Sequence, residues 1–203
     1  MINKTAIYNL NVNNMTNNSK RLIIGISGAS GIEYGLRLLE ILKGLDVETH
    51  LIMSKAAMVT TGLETSIKVS DINKLADMVH KVDDIGASIA SGSFKTDGML
   101  IVPCSVKTMS EINSGVTSTL LTRAADVVLK ERRKLVLMVR DTPFHLGHLK
   151  TMTSLTEMGA IIAPPVPAFY TKPASIDEMI EQTLARLLDL FDIEIASLKR
   201  WKS

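Results

Sequence analysis

Seven residues, Gly25-Ile26-Ser27-Gly28-Ala29-Ser30-Gly31, join an apolar run from Leu22 to Ile26 to a helical pattern that opens at Ile32. Glycines let a backbone turn tightly and approach a ligand, while the N–H groups and dipole of the following helix attract an anion. The chemistry on offer is phosphate binding. The spacing is G-x-x-G-x-x-G, not the G-x-G-x-x-G of dinucleotide folds, and a turn of this kind can also do no more than reverse the chain. The next apolar run, Val47 to Met53, carries its acid, Glu48, at its start, the wrong end for gripping a nicotinamide ribose. Ser54 and Lys55 follow that run. A hydroxyl and a cation there suit a mononucleotide phosphate or an isoalloxazine edge; a helix cap with a solvated lysine is the other reading.

Three further polar clusters stand after apolar runs: Pro103-Cys104-Ser105-Val106-Lys107-Thr108, Arg140-Asp141-Thr142-Pro143, and Pro164-Pro165-Val166-Pro167-Ala168-Phe169-Tyr170. The elements that must position them are apolar runs at 22–26, 47–53, 98–102, 134–139 and 160–163, separated by stretches of helical period. That alternation predicts an α/β fold, a Rossmann-like doubly wound parallel sheet with helices on both faces. In such a sheet ligands lie beyond the carboxyl ends of the strands, where all of these clusters fall. The last helix has one stripe, Ile176, Met179, Ile180, Leu184, Leu187, Leu188 and Phe191, and Ser175 with Glu178 predicts a capping box at its start.

A chain of 203 residues with 46% hydrophobic content can bury one core, and residues 21–203 read as a single domain. Residues 1–20 are asparagine-rich and weakly hydrophobic, which predicts a disordered extension with Met15 as an alternative start. Neither a signal peptide nor a membrane anchor is expected there, and no apolar run reaches the roughly 18 residues of a membrane span. A net charge of +2 and an aromatic share of 4% give no polyanion face and no base-stacking platform, so nucleic acid is not an expected partner. Cys104 is the single cysteine, which excludes an internal disulfide and suits a reducing cytoplasm; it reads as a buried thiol, not a nucleophile. His145 and His148 lack a third ligand and read as surface or packing residues, and His50 and His80 show no partner in the sequence.

Taken together, Gly28-Ala29-Ser30-Gly31, Ser54-Lys55-Ala56-Ala57, Gly92-Ser93-Phe94, Pro103 to Thr108, Thr122-Arg123-Ala124-Ala125-Asp126, Leu129-Lys130-Glu131-Arg132 and Pro164 to Tyr170 resemble the flavin prenyltransferase family, the UbiX group. The likeness covers nearly all of 21–201. It implies a flavoprotein-type domain that joins the dimethylallyl group of dimethylallyl monophosphate to N5 and C6 of reduced FMN, without a metal. The product would be the cofactor of a separate UbiD-type decarboxylase. Carried across residue by residue, the resemblance places FMN on Gly28, Ala29, Ser30, Ser54, Ser105, Val106, Lys107, Thr108 and Arg140. It places the prenyl phosphate on Lys130, Arg140, Tyr170 and Arg186. Asp141, Glu64, Ser30 and Lys130 become the catalytic candidates. A homododecamer with sites where subunits meet is implied as well.

The residue types suit that chemistry. Most prenyl-transfer sites neutralise a diphosphate through magnesium on aspartate clusters, but Asp83-Asp84 is followed by Ile-Gly-Ala with no further acid close by. Arginine forks and a lysine point charge would replace the metal, each contact being worth about 4 kcal/mol at about 4 Å in an effective dielectric near 20, before desolvation. One position departs from the family pattern, Asp141 standing where a glutamate is usual. Its reach is one methylene shorter, and an ion pair with Arg140 or a cap on the helix after Pro143 is its structural alternative. Two other functions stay open: a non-catalytic carrier subunit for FMN or prenylated FMN, and an FMN-dependent cysteinyl-peptide decarboxylase.

Overall fold

Strands that are covered on both faces need apolar side chains at consecutive positions, and the sheet is built from such runs. The computed structural model describes residues 20–196 and 199–201. Its strands are β1 (Lys20–Ile26), β2 (Val47–Met53), β3 (Met78–His80), β4 (Gly98–Cys104), β5 (Lys134–Val139) and β6 (Ala160–Ile162). Its helices are α1 (Ile32–Lys43), α2 (Lys55–Glu64), α3 (Val69–Asn73), α4 (Val106–Asn113), α5 (Leu120–Lys130), α6 (Leu146–Glu157) and α7 (Ile176–Asp189). All strands pair in parallel, in the order β3-β2-β1-β4-β5-β6.

Five strands stand where apolar runs predict them, and β3 is an addition. It is an edge strand of three residues whose Met78 and Val79 are exposed, so no buried run marks it. Of the extension expected over 1–20, only Lys20 is described, and it opens β1.

The period of two along β1 splits the core between the two faces. Leu22, Ile24 and Ile26 pack with Leu36 and Leu39 of α1 and with Leu184 and Leu188 of α7. Ile23 faces the other way, into a cluster with Ile101 of β4, Met109 of α4, and Leu121, Ala124 and Val128 of α5. Each fully buried aliphatic side chain contributes about 1.5–3 kcal/mol. The α7 stripe is buried from Ile180 onward, whereas Ile176, in the first turn, is exposed. The capping box is half of the expected one: Ser175 accepts from the Glu178 N–H, but the Glu178 carboxylate reaches back to the N–H of Ala174.

The chain leaves β1 toward β2 and returns on the opposite side of β1 as β4, so the strand order reverses between those two strands. Loops on either side of such a reversal diverge and open a crevice at the carboxyl edge.

Candidate functional site

The floor of that crevice is tied together by one side chain. Ser27, fully buried just beyond β1, donates from both its N–H and its Oγ to the carbonyl of Pro103, at 3.1 and 2.9 Å. Its Oγ in turn accepts from the Ser105 N–H at 2.7 Å. The neighbouring strand ends are joined likewise, Ser54 N–H to Ile26 O at 2.9 Å and Arg140 N–H to Cys104 O at 3.1 Å. Four strand ends are thereby held in register by direct bonds.

Two of them lead straight into capped helices. Ser54 caps α2, accepting from the Ala57 N–H at 3.0 Å, and Ser105 caps α4, accepting from the Thr108 N–H at 3.2 Å. The first-turn N–H groups of a helix have no partner within the helix, and they carry its positive end. Both first turns border a cavity of about 390 Å³ lined by Gly28, Ser54, Lys55, Ser105, Lys107 and Thr108 on its polar side and by Ala56, Val82 and Leu121 on its apolar side. Gly28 is required by this packing: a Cβ there would stand 2.4 Å from the Cβ of Ala56. Thus Gly28, Ser54, Ser105, Lys107 and Thr108, expected to hold a flavin mononucleotide, come together. Val106, between them, is half-buried against the core on the α4–α5 face and does not line the cavity. Asp83, Glu111, Ser118 and Thr119 complete the lining. Of these Asp83 stands out in the sequence as half of an acid pair, and Thr119 as the first residue of a Thr-x-x-Thr cap ahead of α5.

The glycine turn itself differs from the expected anion cradle. Gly31 adopts a left-handed φ of 99° and opens α1 without a side-chain cap of its own. The N–H groups of Gly31 and Ile32 instead donate to Glu64 Oε2, at 2.9 and 3.0 Å, from the far end of α2. An internal carboxylate therefore occupies the positive end of α1, and the anion seats on the cavity are those of α2 and α4. Partial burial alone would raise the Glu64 pKa. Hydrogen bonds from Ser30, Ile32 and Gly31, with the nearby positive charge of Arg140, outweigh it and hold the carboxyl below its ordinary value. Ser30 and Arg140 thus act together on Glu64, and Ala29 is buried; none of the four lines the cavity. Asp141 is exposed and accepts from the Thr142 N–H at 2.8 Å. The helix after Pro143 is capped by His145, not by Asp141.

The remaining cationic candidates lie elsewhere in the chain. Lys130 is the last residue of α5, whose first residues border the cavity, so it stands about 15 Å away along the helix axis. Its Nζ pairs with Glu131 at 2.5 Å. Tyr170 and Arg186 do come together, lining a hollow of about 170 Å³ with Ala163, Pro164, Val166 and Ala168. Arg186 is held by Asp189 at 3.0 Å, and Trp201 meets Tyr170 edge-on at 5.2 Å between ring centroids. None of the residues of this hollow lines the larger cavity.

Among the other residues of interest, Cys104 is fully buried, and burial pushes its thiol well above the ordinary value, which removes it as a nucleophile. His145 and His148 lie with ring centroids 3.6 Å apart and planes tilted by 33°, and no cluster of three metal-ligating side chains occurs among the described residues. His50 and His80, by contrast, are partners: His50 Nδ1 lies 2.8 Å from His80 Nε2, an arrangement hidden in the sequence because β3 was not visible there.

The chain also has close relatives. Residues 10–199 match the Flavoprotein family. The flavin prenyltransferase UbiX of Escherichia coli strain K12 is 58% identical over 186 residues, covering 90% of this chain and 98% of that protein. A crystal structure of AnUbiX (PadA1) in complex with FMN and dimethylallyl pyrophosphate superposes with a TM-score of 0.89 at 47% identity, over 91% of this chain and 98% of that one. A dodecameric FMN-dependent UbiX-like decarboxylase from Escherichia coli O157:H7 gives 0.88 at 46% identity, over 90% and 100%. With this identity sustained over nine-tenths of its length and on the same fold, the chain belongs to the UbiX flavin prenyltransferase family.

Proposed function

We propose that the protein transfers the dimethylallyl group of dimethylallyl monophosphate to reduced FMN, without a metal, in a homododecamer whose active sites form where subunits meet. The observation that carries this reading is the cavity at the β1/β4 reversal, where two serine-capped helix N-termini face a site with an apolar wall. Those residues fit FMN: the first turns of α2 and α4, with Lys55, suit its phosphate, the Lys107 ammonium being paired with Glu111 at 2.7 Å, and Ala56, Val82 and Leu121 suit a flat ring.

Reduced FMN, when bound, supplies the N5 and C6 atoms that take the dimethylallyl group as the bond from its first carbon to phosphate oxygen breaks. The chain's own residues bind and balance charge. Ser54, Ser105 and Thr108 orient the flavin phosphate. Glu64, kept ionised, holds the Ser30 hydroxyl in place and fixes Arg140 by charge. The departing phosphate carries about −1.5 to −2 charges, which the guanidiniums of Arg140 and Arg186, the ammonium of Lys130 and the Tyr170 hydroxyl offset. Because Lys130 and the Tyr170–Arg186 hollow stand apart from the cavity within one chain, neighbouring copies bring them to it. Asp141 exchanges a proton with the leaving phosphate or the flavin. The product goes to a UbiD-type decarboxylase, and the protein works in the cytoplasm; among the described residues no helix is long and apolar enough to cross a membrane.

The test combines full-length protein, FMN and dimethylallyl monophosphate under reducing, anaerobic, chelated conditions, with mass spectrometry of the flavin. A five-carbon gain is expected. Bound but unmodified FMN would leave a carrier role in its place, and equal turnover of the diphosphate would overturn the monophosphate preference.

A further inference from the structure

One partly buried polar chain has no part in the chemistry above. Arg21 of β1 pairs with Glu48 of β2 at 2.7 Å, Glu48 Oε1 lies 2.8 Å from His50 Nε2, and His50 Nδ1 lies 2.8 Å from His80 Nε2. The two imidazoles stack at an interplanar angle of 13°, and Phe94 stands edge-on to His50 while Arg21 lies over the Phe94 face. His50 is only 2% exposed.

The donors follow by elimination. An ionised carboxylate only accepts, so His50 Nε2 carries a proton; neutral His50 then has a bare Nδ1, and His80 Nε2–H must donate to it. His80 can still take a proton on its other nitrogen without disturbing this bond. A further proton on His50 would set N–H against N–H, and the contact would break.

That contact lies next to the flavin cavity. His80 ends β3, an edge strand with only three paired residues, opposite Ile52 of β2. Two residues on, Val82 and Asp83 line the cavity, and the Val82 carbonyl accepts from the Leu120 N–H at 2.8 Å, fixing the start of α5 beside Thr119 and Leu121. Asp77, just ahead of β3, is tied to Thr49 of β2 by three hydrogen bonds and Val82 is buried in the core; the side-chain bond between His50 and His80 is the further tie between them, at the end of the short ladder.

We propose that His50 and His80 are positioning residues that hold the Val82–Asp83 wall of the flavin cavity, and that loading both rings with protons releases the wall and weakens FMN binding. This rests on the flavin reading of the cavity given above. The charged groups around the pair are Glu48 and Arg21 on the sheet and Asp84 beyond β3; on α5, Arg123 is tied to the Ala90 carbonyl and to Asp126. Burial and the neighbouring His50 lower the His80 pKa against the pull of Asp84. Protons are therefore bound more weakly while the wall is in place, and affinity falls as pH drops below the ordinary histidine value.

The experiment measures the FMN dissociation constant of the full chain by flavin fluorescence from pH 8 to pH 5, beside His80→Gln, whose side-chain amide can donate to His50 Nδ1 but does not titrate. The FMN phosphate titrates in both proteins, so the difference between the two profiles isolates the histidines. The expected result is that the unsubstituted protein loses up to about tenfold more affinity across that range for each unit of pKa displacement. Superimposable profiles would overturn the proposal. Should His80→Gln fail to fold, long-range proton–nitrogen spectra of the unsubstituted protein decide: a bare His50 Nδ1 at pH 8 and protonation in step with the fall in FMN affinity support it, and a protonated Nδ1 or an unrelated titration overturns it. Failure to bind FMN at any pH would strike the flavin reading itself, whereas tight binding without the pH-dependent difference strikes only the histidine pair.

Discussion

In the proposed reaction, Asp141 is the residue at which one methylene of reach matters most. Its carboxylate is solvent-exposed and accepts from the adjacent Thr142 N–H, an interaction weak enough to be exchanged for a proton donor on a bound substrate. A carboxylate that moves a proton in the transition state contributes roughly 10²–10⁴-fold, so Asp141→Asn is expected to slow prenyl transfer by at least about 10²-fold while FMN binding is kept. Asp141→Glu should match or exceed the parent rate. Single-turnover kinetics with prebound reduced FMN checks both, and an undiminished rate in Asp141→Asn would remove the residue from the mechanism. At this scale the serines were legible in the sequence, because a serine directly after an apolar run and before a helical pattern is a cap at a strand end whatever else it does. The role of Glu64 in closing α1 was not legible, since nothing in the local pattern at 31–32 points to a carboxylate 32 residues further on.

Among the elements, α1 and α2 are joined by that carboxylate, and their packing carries a pH dependence. The folded-state pKa of Glu64 is below its ordinary value, so its contribution to stability is present above the unfolded value, near 4.5, and is lost as pH falls through the lower folded value. An exposed carboxylate at a helix N-terminus is worth about 0.3–1 kcal/mol. Melting temperature followed from pH 6 to pH 3 is expected to fall more steeply for the parent than for Glu64→Gln, with the two curves converging at the acid end. Parallel curves would mean that the charge on Glu64 adds nothing to the cap. The strands and helices themselves were readable where burial is two-sided: β4 is buried at all seven positions and stands out as an apolar run. β3 was not readable, because an edge strand of three residues with exposed Met78 and Val79 has neither the length nor the pattern that distinguishes a strand from a loop. Missing it also hid the partner of His50.

For the whole molecule, the decisive fact is that the expected site is divided. The cavity with its capped helices, the Tyr170–Arg186 hollow and Lys130 occupy three places in one chain, and α5 sets Lys130 about 15 Å from the cavity end of the helix. The order of motifs along the sequence identifies the residues but says nothing of which copy supplies each, since that depends on surfaces a single chain leaves uncovered. Several such surfaces are apolar: Leu63 is 81% exposed on α2, and Val166 and Phe169 are 73% and 72% exposed beside the Tyr170 hollow, as residues that meet another subunit would be. Division of labour between copies can be tested by complementation. On the proposed roles, Ser54→Ala/Ser105→Ala is expected to disable the flavin end, and Lys130→Ala the phosphate end. Each is expected to be inactive in prenyl transfer alone. Co-expressed in equal amounts, they should assemble at random and restore about one quarter of the parent activity, because a site drawing its two halves from different protomers receives both intact ones in about one case in four. If instead each site used the lysine of its own chain, no mixed assembly would contain an intact site, and the mixture would stay as inactive as its parts.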